Sequence, residues 1–541
     1  MTELGRRSFL AATGAAGVGI TMPGSAAALL GSIPTQAARE YVQTGFGPVI
    51  VTKQDIRYDD LTRGFNQRWV GQPDYVYVAG STDQVLKAVQ DALRTGKRFA
   101  VRSGGHCYED FVTSPDIQVV IDLSEFNSIS FDNQRRAFAV DAGATLGEVY
   151  ETLFKGWGVT IPAGSCPSVG AGGHVVGAGY GPLNRLHGLV TDHLWAVEVI
   201  VVDSSGTARY VFASRDDNDA RQDLWWGHTG GGGGNFGVVT RYWFRTPGAT
   251  GGNPATLLPR PPEHVWISSV AWPWAQLTQQ SFTRLIKNYG AWHEANSAAG
   301  SPYAGLFSHL YAAHVAAGAV TMSTQMDATS ANSEQLLANF IAAVAAGVGV
   351  APQIRDHRQL PWWHAANWSG LFGGDPTGRA KFKSAYLRRN FTDAQVAACY
   401  RHLTRTDFNN PSALVQIASY GGQTNTVSPD ATAVSHRDSI MKLHYLVAWG
   451  NADEDEQNLK WIREFYSDMY ADTGGVPVPN NVTDGCFINY ADVDLSDPQW
   501  NTSGVAWHNL YYKRNYLRLR RVKATWDPKN TFRHAQSIEP P

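Results

Sequence analysis

Cysteine is scarce: Cys107, Cys166, Cys399 and Cys486 are the four in 541 residues, with no CxxC pair and no spacing to histidine of the kind a zinc site uses. A disulfide-stapled scaffold and structural zinc are excluded, and a single disulfide stays open. Charge is thin as well. Asp, Glu, Lys and Arg make up 17% of the chain, with 45 basic against 47 acidic residues and a net charge of −2, and no basic run marks a phosphate-binding footprint. Nucleic acid is therefore not an expected partner. Beyond the first thirty residues no uncharged apolar run reaches spanning length, so a membrane anchor is not expected. The GxSxG, HExxH and P-loop signatures are missing, which removes the usual anchors of serine hydrolases, zincins and P-loop NTPases.

What is abundant is glycine, 54 residues, together with 43% apolar residues and 11% aromatics, a composition that builds cores and excludes wholesale disorder. The length predicts two to four structural units. Residues 5–30 begin with the pair Arg6-Arg7, continue through a weakly apolar Ala/Gly stretch and end in small residues around Ala26–Ala28. This is the form of a twin-arginine export signal, so residues 1–40 read as a leader and the protein as secreted.

Residues 74–105 predict a strand at Tyr75–Val78, a helix and a second strand at Arg98–Arg102. Ser81 and Gln84 form a capping box, Val85, Val89 and Ala92 the apolar face, and Gly96 the C-terminal stop. Short strands follow at 119–121, 137–140 and 159–161, with a helix from Thr145 capped by Glu148. A hairpin at 197–212 turns on Asp203–Gly206, and a strand at 238–244 closes the region. The Pro/Gly/Thr-rich stretch 246–260 reads as a linker. A second unit, with long Ala-rich helices, short apolar strands and Trp362, Trp363 and Trp368, is expected to hold an aromatic-lined cavity. The class is α+β, divided as 41–255, 256–490 and a tail at 491–541.

Glycine gathers at 103–106, 164–181 and 230–237. The last cluster satisfies GxGxxG at Gly232–Gly237, yet it follows a helix-like segment and opens a strand, the reverse of a Rossmann unit. Three backbone clusters in about 200 residues suit a large phosphate-bearing ligand, because glycine lets the main chain approach closely and offer its N–H groups.

RSGGHCYEDF at 102–111, GSCPSVGAGGHVVGAGYG at 164–181, GGGGGNFGVVT at 230–240 and the tail from Tyr511 to Ile538 resemble the berberine bridge enzyme-like FAD-linked oxidases, in particular their bacterial secondary-metabolite branch. The resemblance covers residues 60–541. It implies the vanillyl-alcohol-oxidase or PCMH-type fold: an FAD domain, then a substrate domain built on an antiparallel sheet covered by helices, then a tail that returns to the flavin. It implies that His106 joins the flavin 8α-methyl and Cys166 its C6, with no metal. Val169 falls at the oxygen gate, and His174 at the histidine that supports negative charge on reduced flavin. Arg102, Ser103, Gly104, Gly105, Cys107, Gly164, Gly170, Gly173, Gly177 and Gly237 belong to the FAD wall, Asn235 and Val239 to its adenosine side, and Tyr512 and Asn515 to the closing tail.

An alcohol cannot be oxidised unless its hydroxyl proton is accepted as hydride leaves. Tyr490 matches the catalytic tyrosine of bacterial members. Tyr420, in SYGGQTNTV, is the second candidate, since no glutamate follows it, and Tyr470 is expected to border the same cavity. The reading is an exported oxidase that passes hydride from a hydroxyl-bearing carbon of a bulky natural product or glycoside to FAD and then to O2, giving hydrogen peroxide. The alternatives are an oligosaccharide oxidase acting at the anomeric carbon and a secreted carbohydrate-binding protein without catalysis.

Overall fold

The structure, a computed structural model, describes residues 46–371 and 378–541; the expected leader lies outside the described residues. The described residues pack as one compact unit. Among the described residues its strands form three sheets. The first has the order Val49–Thr52, Tyr75–Val78, Val119–Asp122, Phe99–Arg102, with the last three parallel. The second is a five-stranded antiparallel sheet, Ile129–Asp132, Ala137–Asp141, Val238–Phe244, Leu194–Val202, Ala208–Ser214. Both sheets are complete by Phe244. The chain then runs through Thr246–Arg260 and enters a seven-stranded antiparallel sheet at His264.

Local signals account for most boundaries. The helix Leu146–Trp157 starts on a full capping box between Thr145 and Glu148 and stops at Gly158, whose φ of +67° is left-handed; such caps contribute about 1 kcal/mol each. The helix Thr82–Arg94 buries Val85, Ala88, Val89 and Ala92. Its box is half formed, because the Gln84 side chain takes the N–H of Gly80 (2.8 Å) and not that of Ser81. The expected strand at 159–161 is absent. Those residues are buried, but Thr160 donates its N–H to Pro259 O, and no neighbouring strand lies alongside to build a ladder.

The seven-stranded sheet positions the site. Along it Leu310, Ile417, Leu443 and Tyr445 face a layer of helices (Gln279–Asn296, Ser333–Ala345, Asp393–Leu403, Asp455–Met469), while their neighbours His309, Gln416, Lys442 and His444 point the other way. That polar face looks toward the two smaller sheets. Trp362 and Trp363 do not line the cavity between them; they pack on Tyr150 and Phe154 of the capped helix. No helix among the described residues is long and apolar enough to cross a membrane.

Candidate active site

A cavity of about 430 Å³ lies between the glycine-rich loops and the polar face of the large sheet. Its floor is main chain. The strand Phe99–Arg102 runs out into Ser103–His106, with Gly105 at φ +72°, and this turn meets the second cluster backbone to backbone. A Cβ placed on Gly104 would stand 2.3 Å from Gly170 N, and one on Gly170 would stand 2.2 Å from Ser103 Oγ. Ser103 Oγ donates to Ala142 O (2.6 Å), and Arg102 donates to Leu61 O and faces Asp122.

The two residues expected to hold a cofactor converge here. His106 Nε2 lies 3.0 Å from Ser168 Oγ and Cys166 Sγ lies 3.5 Å from the same oxygen, so one hydroxyl bridges the ends of two separate glycine clusters. His106 stacks on Phe65 with ring centroids 4.6 Å apart. Burial first, then the charge of Arg102, lowers its pKa to about 4, which leaves a neutral imidazole with a free lone pair. Cys107 also lines the cavity, and burial pushes its thiol up to about 11. All four cysteines are free thiols, which answers the disulfide question in the negative.

His174 accepts the N–H of Gly164 at Nε2 (3.0 Å), which puts the proton of its neutral ring on Nδ1. Burial holds its pKa at about 3. Gly164, Val169, Gly170, Gly173, Gly237 and Val239 line the cavity. Gly177 does not. It makes room for Asn489, whose Nδ2 donates to His174 O, and a Cβ at Gly177 would fall 1.8 Å from Asn489 Oδ1.

The third cluster is held from behind. Asn235 Nδ2 donates to the carbonyls of Gly231, Gly232 and Gly233, and its Oδ1 takes the N–H of Ile538. Asn235 lines the cavity with its amide fully engaged. Tyr512 and Asn515 are absent from the wall. Tyr512 donates to Gly231 O (2.9 Å) and Asn515 to Pro429 O (2.7 Å), so this part of the tail stands behind the wall, while Phe532, Arg533 and His534 further along the tail line the cavity.

Of the three tyrosines, Tyr490 alone lines the cavity. It stacks on His444 (4.0 Å) and places its hydroxyl 3.3 Å from that of Tyr180. Tyr420 sits one ring further back, edge-on to Tyr386 and Tyr180, with its hydroxyl on His436 O. Tyr470 is on the wrong side of the sheet. It bonds Tyr445 (2.9 Å), and Tyr445 points into the helical layer because its neighbour His444 points into the cavity.

Sequence reasoning missed Lys442. Its Nζ is buried, has no hydrogen-bond partner among the described residues, and lies 2.8, 3.5 and 4.7 Å from the ring centroids of Phe487, Tyr180 and Tyr490. Burial lowers its pKa well below the ordinary lysine value, and burial raises that of Tyr490 well above the ordinary tyrosine value. The signal was available: in MKLHYLVAW the polar residues Lys442 and His444 alternate with apolar ones, the pattern of a strand with one face on a polar space. The one carboxylate among the lining residues, Glu109, is taken by Lys381 (2.5 Å).

The FAD binding domain model matches residues 73–209, and the berberine and berberine-like model matches residues 486–539. An aclacinomycin-N/aclacinomycin-A oxidase of Streptomyces galilaeus is 50% identical over 100% of this chain and 99% of its own length. This protein is a berberine bridge enzyme-like FAD-linked oxidase. A hexose oxidase of Chondrus crispus is 34% identical over 90% of this chain and 94% of its own. The crystal structure of glycopeptide hexose oxidase complexed with teicoplanin superposes with a TM-score of 0.88 at 48% identity, covering 92% of this chain and 99% of that one. The fold is the PCMH-type FAD-binding fold of that family, and the protein is an FAD-dependent oxidoreductase. The cavity fits the cofactor: its floor is glycine main chain, where a Cβ at Gly173 would meet no protein atom within 4 Å, and Arg63, Arg102 and Arg533 stand on a wall whose one acid is neutralised, the surroundings an anionic diphosphate requires.

Proposed function

We propose that this enzyme oxidises a hydroxyl-bearing carbon of a natural product or sugar, with Tyr490 accepting the hydroxyl proton and FAD held covalently by His106 and Cys166. The names of its relatives, an aclacinomycin oxidase and hexose oxidases, support that substrate class. The observation that carries the reading is that His106, Cys166 and Tyr490 all line one cavity. When bound, FAD supplies the hydride acceptor and passes the electrons on to O2, and small Val169 is one of the residues on the same wall.

A buried neutral tyrosine is a poor base. Here the amine of Lys442 lies over the Tyr490 and Tyr180 rings with no carboxylate to neutralise it. Nζ is bonded to neither hydroxyl, so it acts through space: a proton gained on that amine as one is lost from the phenol pair leaves an ammonium beside a phenolate. The pair is neutral as a whole, so burial disfavours it far less than an isolated phenolate. Tyr490 then takes the substrate proton, and Tyr180, 3.3 Å away, shares the charge. Tyr490→Phe is expected to cut kcat by about 10²- to 10⁴-fold with the flavin spectrum unchanged. A kcat close to wild type would remove Tyr490 from the mechanism.

We also propose export through Arg6-Arg7. Replacing both by lysine should retain the protein in the cytoplasm, and unchanged release to the medium would refute this.

A further inference from the structure

His309 lines the cavity and has no part in the mechanism above. Cross-strand pairing sets two rows on the polar face of the large sheet: His309–Ala418–Lys442 and, beside it, Tyr311–Gln416–His444. With strands about 4.8 Å apart, His309 and Lys442 stand about 10 Å apart across the small side chain of Ala418. His309 is 4% exposed and lines the cavity. Its Nδ1 lies 3.0 Å from the hydroxyl of Tyr311, which in turn donates to Gly370 O at 3.2 Å.

This chain of contacts fixes a tautomer. A carbonyl only accepts, so the single Tyr311 proton goes to Gly370 O, and Tyr311 oxygen must accept from Nδ1–H. The remaining nitrogen, Nε2, therefore carries a lone pair and no proton. Nε2 is buried and has no partner among the described residues. His309 lines the cavity, whereas Tyr311, which holds its Nδ1 edge, does not. A buried acceptor left unpaired is costly, by about 1–3 kcal/mol, which makes it a selective contact once a donor fills it.

We propose that His309 is a specificity-determining residue whose Nε2 accepts a hydrogen bond from a second hydroxyl on the substrate ring, so that the cavity selects polyhydroxylated rings over lone alcohols. This rests on the oxidase reading above, in which Tyr490 engages the hydroxyl being oxidised. The acceptor polarity makes the inference sharp. An O–H or N–H donor satisfies Nε2, whereas an ether oxygen or a fluorine leaves it unpaired.

The test is oxygen uptake by the holoenzyme with glucose and galactose and with their monodeoxy and monodeoxyfluoro analogues. In the wild type, deoxygenation at one ring position should lower kcat/KM by about 10- to 100-fold, with the fluoro analogue no better than the deoxy one. In His309→Leu the parent sugar and both analogues should agree within about threefold, and His309→Gln, whose Oε1 also accepts, should recover part of the discrimination. Tyr311→Phe, which frees the tautomer, should raise KM more than it lowers kcat. Three results overturn the proposal: discrimination unchanged in His309→Leu, fluoro analogues as good as the parent, or a wild type that oxidises a polycyclic alcohol but no hexose. Failure of every alcohol to reduce the flavin would instead overturn the oxidase reading beneath it.

Discussion

Lys442 Nζ stands 4.7 Å from the ring centroid of Tyr490 and 3.5 Å from that of Tyr180, while the one carboxylate among the lining residues is already paired with Lys381. The amine thus faces two phenols in a buried space without a counter-ion. In Lys442→Met the phenolate at Tyr490 must form unaided. The expected result is a loss of at least about 10²-fold in kcat/KM near neutral pH, with the rate climbing toward alkaline pH because the basic group of the profile moves up. A pH profile unchanged in position would show that Lys442 does not support Tyr490.

Gly104 and Gly170 bring two loops into main-chain contact, and a methyl group on either overlaps backbone or Ser103 Oγ at 2.2–2.3 Å. Gly104→Ala must push the loops apart. The variant is expected to purify with much less flavin, read from the ratio of flavin to protein absorbance, and to lose about 1–3 kcal/mol of stability. Full flavin content would show that the contact does not shape the cofactor floor.

Much of this was legible in the sequence. Thr145 and Glu148 announced a helix start that the structure reproduces, and the hairpin at Asp203–Gly206 and the strand Val238–Phe244 fall where turn chemistry and alternation put them. The glycine clusters and His106, Cys166 and Tyr490 were picked out by motif, and the fold brings them to one cavity. What was hidden depends on which way a strand faces. Tyr470 bonds Tyr445 in the helical layer, whereas Lys442, His444 and His309 are on the other face of the same sheet, and only the register between distant strands decides that. Tyr420, Tyr512 and Asn515 carry family motifs yet stand one layer behind the wall, because their hydroxyl and amide groups are spent on main-chain carbonyls.

His228, His293, His309 and His444 are buried, and burial lowers their pKa values to about 3 or 4 from about 6.5. The folded state keeps these rings neutral down to low pH, while the unfolded chain binds protons below about pH 6.5. Stability is therefore fully present above pH 6.5 and falls as pH drops through the window from 6.5 to about 3, each ring contributing up to about 1.4 kcal/mol per pH unit. The urea midpoint should fall steeply between pH 7 and pH 5. A midpoint independent of pH over that range would contradict the neutral burial of these rings.

The central claim is a flavin bonded to His106 and Cys166, whose side chains meet at Ser168 Oγ. It is tested most directly by precipitating the purified protein in acid, measuring flavin absorbance in pellet and supernatant, and mapping the masses of the peptides that contain the two residues. The account predicts a yellow pellet with flavin mass on both peptides, with one bond surviving in each of His106→Ala and Cys166→Ala. Colour released wholly into the supernatant would contradict it.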